Sequence, residues 1–376
     1  MSKKTSKSPA KGWISIWFMT AALLMASSLA AYAQESIPPE PVTRIRGTIT
    51  TCAGVPLPGV TVDIVGDFGG DSVVTSATGQ YSTTLELGSY TVTPVAPVGY
   101  FFSPQNIVVF GSNLSANFKR YPRDNRANFD GDCKTDVSVF NRSTGDWFSR
   151  NSSNGVDVFF HFGLNGDVAA PGDYNADGKT DYAVFRPSEG NWYIATDRSG
   201  AYSTIALGQS GDIPVARDYD GDAKTDIAVF RPSTGAWIIR TSSNNTVQPA
   251  VYFGLSTDRV VPGDYDSDNK ADIAVFRPSD ALWYILPSNG GSFYGVSFGL
   301  GTDIPVQADY NGDGVTDFAV FRPSDVHWYI RRPDGSFYGI PFGFSSDRLV
   351  PGDYDGDGLA DIAVQRPVTG TSAIWY

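Results

Sequence analysis

The chain has 376 residues, with 28 Lys and Arg against 40 Asp and Glu, two His, two Cys and a formal net charge of −12. This length allows two or three domains. The acidity offers no basic face for nucleic acid, and two histidines cannot build a His-rich zinc centre.

Lys3, Lys4, Lys7 and Lys11 precede a mostly apolar run from Trp13 to Leu29, and Ala31-Tyr32-Ala33 gives a small-x-small pattern before Gln34. Residues 1–33 therefore read as a secretory signal peptide. The alternative is an uncleaved membrane anchor, because the apolar run is long. No cysteine directly follows the run, which argues against lipoprotein processing. The mature chain is expected to be exported and soluble, secreted or at the cell surface, with no membrane insertion after cleavage; the periplasm is the other compartment open to it. Export permits a Cys52–Cys133 disulfide, and two separate thiols are the other reading.

Residues 34–43, with Pro38, Pro39 and Pro41, form a short stiff linker. Over residues 44–120 short runs such as Ile45–Thr50, Val60–Val65, Tyr81–Leu85 and Ile107–Phe110 alternate with Gly and Pro turns. That pattern predicts a small antiparallel β-sandwich.

From residue 121 to 376 a nine-residue loop recurs six times, starting at Asn128, Asp173, Asp218, Asp264, Asp309 and Asp353, every 44 to 46 residues. Oxygen-bearing side chains stand at loop positions 1, 3, 5 and 9. They are Asn128, Asp130, Asp132 and Asp136 in loop 1, and Asp173, Asn175, Asp177 and Asp181 in loop 2. Loop 3 has Asp218, Asp220, Asp222 and Asp226, and loop 4 has Asp264, Asp266, Asp268 and Asp272. Loop 5 has Asp309, Asn311, Asp313 and Asp317, and loop 6 has Asp353, Asp355, Asp357 and Asp361. Carboxylates this dense repel one another unless a cation neutralises them, and an all-oxygen set suits Ca²⁺ best. About six structural Ca²⁺ are expected. The three Asn positions keep a carbonyl oxygen and give up only charge. Position 6 needs a sharp bend and is Gly in loops 2, 5 and 6; Cys133, Ala223 and Asn269 replace it in loops 1, 3 and 4.

Each repeat holds four short strands. In the third, Asp212–Arg217 leads into the loop, Ile227–Phe230 leaves it, and Ala236–Ile239 and Ala250–Phe253 follow. The period and strand number predict a β-propeller of about six four-stranded blades behind the sandwich, an all-β chain. The last repeat is short of one strand, so a closed ring would need an earlier strand to complete it, with Ile107–Phe110 or residues near 116–121 as candidates.

The turn motifs Pro58-Gly59-Val60, Gly79-Gln80-Tyr81 and Gly88-Ser89-Tyr90 resemble the carboxypeptidase regulatory-like domains of secreted bacterial proteins. That resemblance implies an accessory module without catalytic chemistry. The repeats, such as "RDYDGDAKTDIAVFRPSTGAW", resemble the FG-GAP/VCBS repeats of integrin-α propellers and bacterial surface proteins. This implies loops that join the first two strands of each blade and hold Ca²⁺, with a partner docking away from the metal sites. Integrin-type propellers have seven blades, one more than the loops counted here.

Trp147, Trp192, Trp237, Trp283, Trp328 and Trp375 follow the loops at near-constant distance. Packing between blades is the favoured role, and a ring of sugar-stacking platforms the alternative. Arg186, Arg231, Arg277, Arg322 and Arg366 are expected to anchor blade to blade through hydrogen bonds. No phosphate loop or dinucleotide fingerprint is present. The expected function is non-enzymatic adhesion or interaction with a protein or glycan. A lectin and a polysaccharide-active enzyme are the alternatives.

Overall fold

The computed structural model describes residues 42–122, 127–367 and 373–376. The signal-peptide reading lies outside them, as do residues 34–41 of the 34–43 linker. Among the described residues every regular element is a strand. No helix there is long and apolar enough to cross a membrane.

Nine strands form an N-terminal module: β1 (Val42–Thr51), β2 (Thr61–Gly66), β3 (Gly69–Val74), β4 (Gln80–Glu86), β5 (Ser89–Pro94), β6 (Tyr100–Ser103), β7 (Ile107–Phe110), β8 (Leu114–Ser115) and β9 (Phe118–Pro122). They make two sheets, ordered β4-β1-β9-β6 with β8 also on β1, and β3-β2-β5-β7. On β1 and β5 alternate side chains are buried, as in sheets with one face on a core. Ile45, Ile49 and Phe118 of the first sheet meet Val62, Ile64, Tyr90 and Val92 of the second in one cluster.

Two expectations change here. The first sheet is mixed and not antiparallel throughout, because β8 and β9 run parallel to β1. Strand β6 is an addition that alternation does not reveal. Its Phe102 enters the shared core, while Phe101 turns the other way into a cluster with Cys52, Tyr121 and Ala223. Both faces are covered, so neighbouring side chains are both apolar.

Residues 127–376 hold six further sheets in chain order, four of them four-stranded and the first and last three-stranded as described. The third consists of Ile213–Pro214, Ile227–Arg231, Ala236–Arg240 and Val251–Tyr252, close to the strands expected from sequence. Ile227, Ala228, Val229 and Phe230 are all buried, because both faces of this sheet are covered. Val215, Ala228, Phe230 and Trp237 pack with Ile273 and Val275 of the fourth sheet. Comparable clusters join first to second, second to third, fourth to fifth and fifth to sixth. Apolar burial by stacking on neighbours is what holds such repeats together.

A cycle of backbone hydrogen bonds links the loops. The position 8 N–H of Thr180, Thr225, Ala271, Thr316 and Ala360 donates to the position 1 carbonyl of the preceding loop, at 2.7 to 2.9 Å. Thr135 of loop 1 donates to Asp353 of loop 6 at 2.6 Å, so the cycle closes. Neither proposed closing strand takes part. Ile107–Phe110 pairs with β5, and Phe118–Pro122 pairs with β1 and β6. The repeats thus form a β-propeller. A cavity of about 780 Å³ is lined by Ile304, Pro305, Arg348 and Leu349 and bounded by Gly99 and Tyr100 of the module.

Candidate metal loops

The backbone arranges the loop side chains. In loop 3 the Asp218 carboxylate accepts the N–H groups of Gly221 (2.6 Å) and Ala223 (2.9 Å). Asp222 accepts that of Lys224 at 2.9 Å, and Asp226 that of Tyr219 at 2.8 Å. The same bonds recur in loop 4 for Asp264, Asp268 and Asp272 and in loop 6 for Asp353, Asp357 and Asp361. Short acids at alternate positions are thereby held around one centre.

Convergence differs between loops. Carboxylate oxygens of Asp218, Asp220 and Asp226 lie within 4.8 Å of one another, as do those of Asp264, Asp266 and Asp272, and of Asp353, Asp355 and Asp357. Among the described residues loops 1, 2 and 5 show no such triple of acids, and each carries one asparagine. Asn175 donates to Asp177 at 3.3 Å and Asn311 to Asp317 at 2.9 Å, so an amide partly offsets the local charge. Asn128 instead accepts from Gly131 and Asp132 and donates to Gly178 of the next loop.

Burial and mutual repulsion work against ionised carboxylates in these loops. Burial pushes Asp181 up to about 8, with the neighbouring acids Asp173, Asp177 and Asp197 adding to the shift. Burial likewise raises Asp226 and Asp272 to about 7, and Asp317 and Asp173 to about 6. Asp181 is 1% exposed, and its Oδ1 has no hydrogen-bond partner. A bare buried carboxylate oxygen is costly. Oxygen-only donors, high charge and one unsatisfied oxygen together fit a hard divalent ion.

Position 6 is left-handed in all six loops, including Cys133 (φ 76°), Ala223 (φ 69°) and Asn269 (φ 65°). Position 4 is left-handed as well, at Gly131, Ala176, Gly221, Ser267, Gly312 and Gly356. The signal for this second bend was glycine in four of the six copies. Support also comes from hairpins between the third and fourth strands. Ser152 donates to Asp132 and Ser153 to Asp130. Ser242 and Ser243 serve Asp222 and Asp220, and Ser288 and Asn289 serve Asp268 and Asp266. Their spacing from the loop, 16 residues past position 9 for the first of each pair, is constant but was not part of the sequence pattern.

The Trp residues of the first five repeats and the repeated Arg residues are structural. Trp192, Trp237, Trp283 and Trp328 are fully buried and Trp147 is 4% exposed. Each donates its indole N–H to a backbone carbonyl, of Phe162, Leu207, Phe253, Phe298 or Phe342, at 2.8 to 3.1 Å. These five cannot stack on a sugar. The Arg residues anchor within a repeat, which corrects the expected contact between blades. Arg186, Arg231, Arg277, Arg322 and Arg366 make two-point bonds of 2.8 to 3.0 Å to Asp167, Asp212, Asp258, Asp303 and Asp347. Those carboxylates are at most 1% exposed and raise the pKa of each arginine further through the same hydrogen bonds.

Residues 309–364, spanning loops 5 and 6, match the model of the FG-GAP-like repeat. No curated protein matches the sequence. Among solved structures the chain is similar to a streptogramin B lyase, at 12% identity over 66% of this chain and 80% of that one, with a TM-score of 0.44. It is similar to an Agrocybe aegerita lectin that recognises non-reducing terminal N-acetylglucosamine, at 15% identity, 83% and 88% coverage and a TM-score of 0.45. An auxiliary nutrient binding protein from Bacteroides ovatus gives 11%, 86% and 91%, and 0.40. Likenesses this weak say nothing of ligand or activity.

Proposed function

We propose that the six loops bind Ca²⁺ and that the chain is an exported, ion-stabilised, six-bladed propeller acting by non-enzymatic adhesion or interaction. The observation that carries the ion is the buried, unpartnered Asp181 Oδ1 in a loop built of acids. Positions 1, 3, 5 and 9 of each loop would hold it. The ion would tie the first two strands of its blade together and offset the burial, and the smaller repulsion from neighbouring acids, that raise the Asp181 and Asp226 pKa values. Oxygen donors in a flexible loop favour Ca²⁺ over Mg²⁺.

Export is supported by the leader pattern and by the Cys52–Cys133 disulfide. The shared core of the two N-terminal sheets supports the sandwich reading and an accessory role for that module. A partner, protein or glycan, meets a surface where Tyr202, Phe293 and Phe337 are each about 60% exposed. These residues touch Phe162, Phe253 and Phe298 of the preceding repeat. The lectin alternative moves to them from the buried tryptophans.

The test is a thermal melt of residues 34–376 in excess Ca²⁺ and in EDTA, with stoichiometry by titration. About six ions and a large Ca²⁺-dependent rise are expected. No bound metal and indifference to EDTA would remove the ion. A glycan array then separates the partner classes, with Phe293→Ala abolishing binding in the lectin case. Oligosaccharide release from a polysaccharide panel would favour the enzyme alternative.

A further inference from the structure

We infer that the N-terminal module is a cap seated on the loop ring, and that its docking is coupled to the ion state of the loops. The coupling rests on the Ca²⁺ reading above; the cap itself is a matter of contacts. The module meets every loop at position 4, 5 or 6. In loop 1, Cys133 is disulfide-bonded to Cys52. In loop 2, the Ser103 hydroxyl donates to the Ala176 carbonyl at 3.1 Å, and Tyr121 lies so close to Gly178 that a Cβ there would come within 2.3 Å of the ring. In loop 3, Gln105 donates to the Asp222 carbonyl at 2.6 Å, and Ala223 packs in the Phe101 cluster. In loop 4, the Gly99 N–H donates to Asn269 Oδ1 at 2.8 Å. A Cβ on Gly314 of loop 5 would lie 2.5 Å from the Val98 carbonyl oxygen, and one on Gly358 of loop 6 would lie 2.9 Å from the Tyr100 hydroxyl.

This contact pattern explains the choice of residue at position 6. A non-glycine residue in the left-handed region is disfavoured, yet three loops carry one. Each of the three makes a contact to the module that glycine could not make: a disulfide, a methyl packed near Phe101, and an amide acceptor. Where glycine stands, the module approaches so closely that a side chain would collide. Position 6 is therefore selected as a landing ring as much as for the bend.

Coupling follows from where the cap lands. Position 6 directly follows acid 5, and in loops 2 to 6 its backbone N–H donates to the position 1 carboxylate. An ion and the cap therefore favour the same loop conformation, and linkage requires that each strengthen the other by the same factor.

The test uses residues 34–376 with the carboxylates untouched. Gly99→Leu is a wedge, since a Cβ at Gly99 would meet Gly314 Cα at 2.5 Å; Gln105→Ala and Asn269→Gly are milder. Calcium titration of the wedge should show apparent affinity lowered about fivefold or more, the usual size of such couplings. Asn269→Gly is the sharpest arm. Glycine suits φ 65° better than asparagine, so an uncoupled loop keeps or gains affinity, and a coupled one loses it. In the wild type, Ca²⁺ should slow deuterium exchange over residues 98–105. Full ion binding by all three variants, with exchange over 98–105 indifferent to Ca²⁺, overturns the coupling and leaves the ion reading intact. A wild-type chain that binds no ion overturns both.

Discussion

Loops 2, 5 and 6 keep glycine at position 6, whereas loops 1, 3 and 4 replace it with Cys133, Ala223 and Asn269. Judged by position 6 alone, the first set is better made. Yet the second set is the one whose carboxylates are held by Ser152, Ser153, Ser242, Ser243, Ser288 and Asn289 from the next hairpin. At the place of Ser242, loop 2 has Asp197 and loop 5 has Pro333. Loops with the costlier residue at position 6 have the firmer side-chain frame. The comparison teaches that a loop is specified by what surrounds it as well as by its own nine residues.

The largest expected effect separates the two sets most clearly. At one hundred times Kd each ion adds about 2.7 kcal/mol by mass action, so chelation should lower the melting temperature more than any single substitution. Deuterium exchange during chelation should show loops 2, 5 and 6 losing protection before loops 1, 3 and 4. Equal loss in all six would break the comparison. Next in size, Trp237→Ala removes a fully buried side chain and should cost about 3–5 kcal/mol. Denaturant unfolding in Ca²⁺ and in EDTA should give a similar loss, because Trp237 is not among the loop carboxylates.

The pH dependence comes third. Folded-state pKa values of Asp181, Asp226, Asp272 and Asp317 are raised to between about 6 and 8, so below these values the folded chain binds more protons than the unfolded one. Stability of the ion-free chain must then fall as pH rises through that window. Melting in EDTA should be higher at pH 5.5 than at pH 8. In excess Ca²⁺ the order reverses, because protons compete with the ion. The smallest effect is Ser242→Ala, about 1 kcal/mol for its hydrogen bonds to Asp222. Calorimetry should assign the loss to loop 3 and leave loop 6 unchanged.

Several residues show why parts of this were legible and others not. The strands Ile227–Arg231 and Ala236–Arg240 announce themselves by β-branched and aromatic runs between Gly and Pro turns. Strand β6 did not, since both its faces are buried and no alternation survives. The Trp and Arg columns were visible as repeats, but their partners were not. Arg231 finds Asp212 inside its own repeat, 19 residues away, and only the turn geometry reveals that pair.

What the sequence by itself determined is local: the period, the acids at alternate positions, the bends that glycine allows and the four strands of a repeat. Each depends on backbone preferences and contacts within a few tens of residues. Only the tertiary structure decided the rest. Thr135 meets Asp353 to close the cycle, Cys52 meets Cys133, and Gly99 meets Asn269 across 170 positions. No local preference encodes such meetings. They arise because sheets that cannot bury both faces alone must stack until the last finds the first.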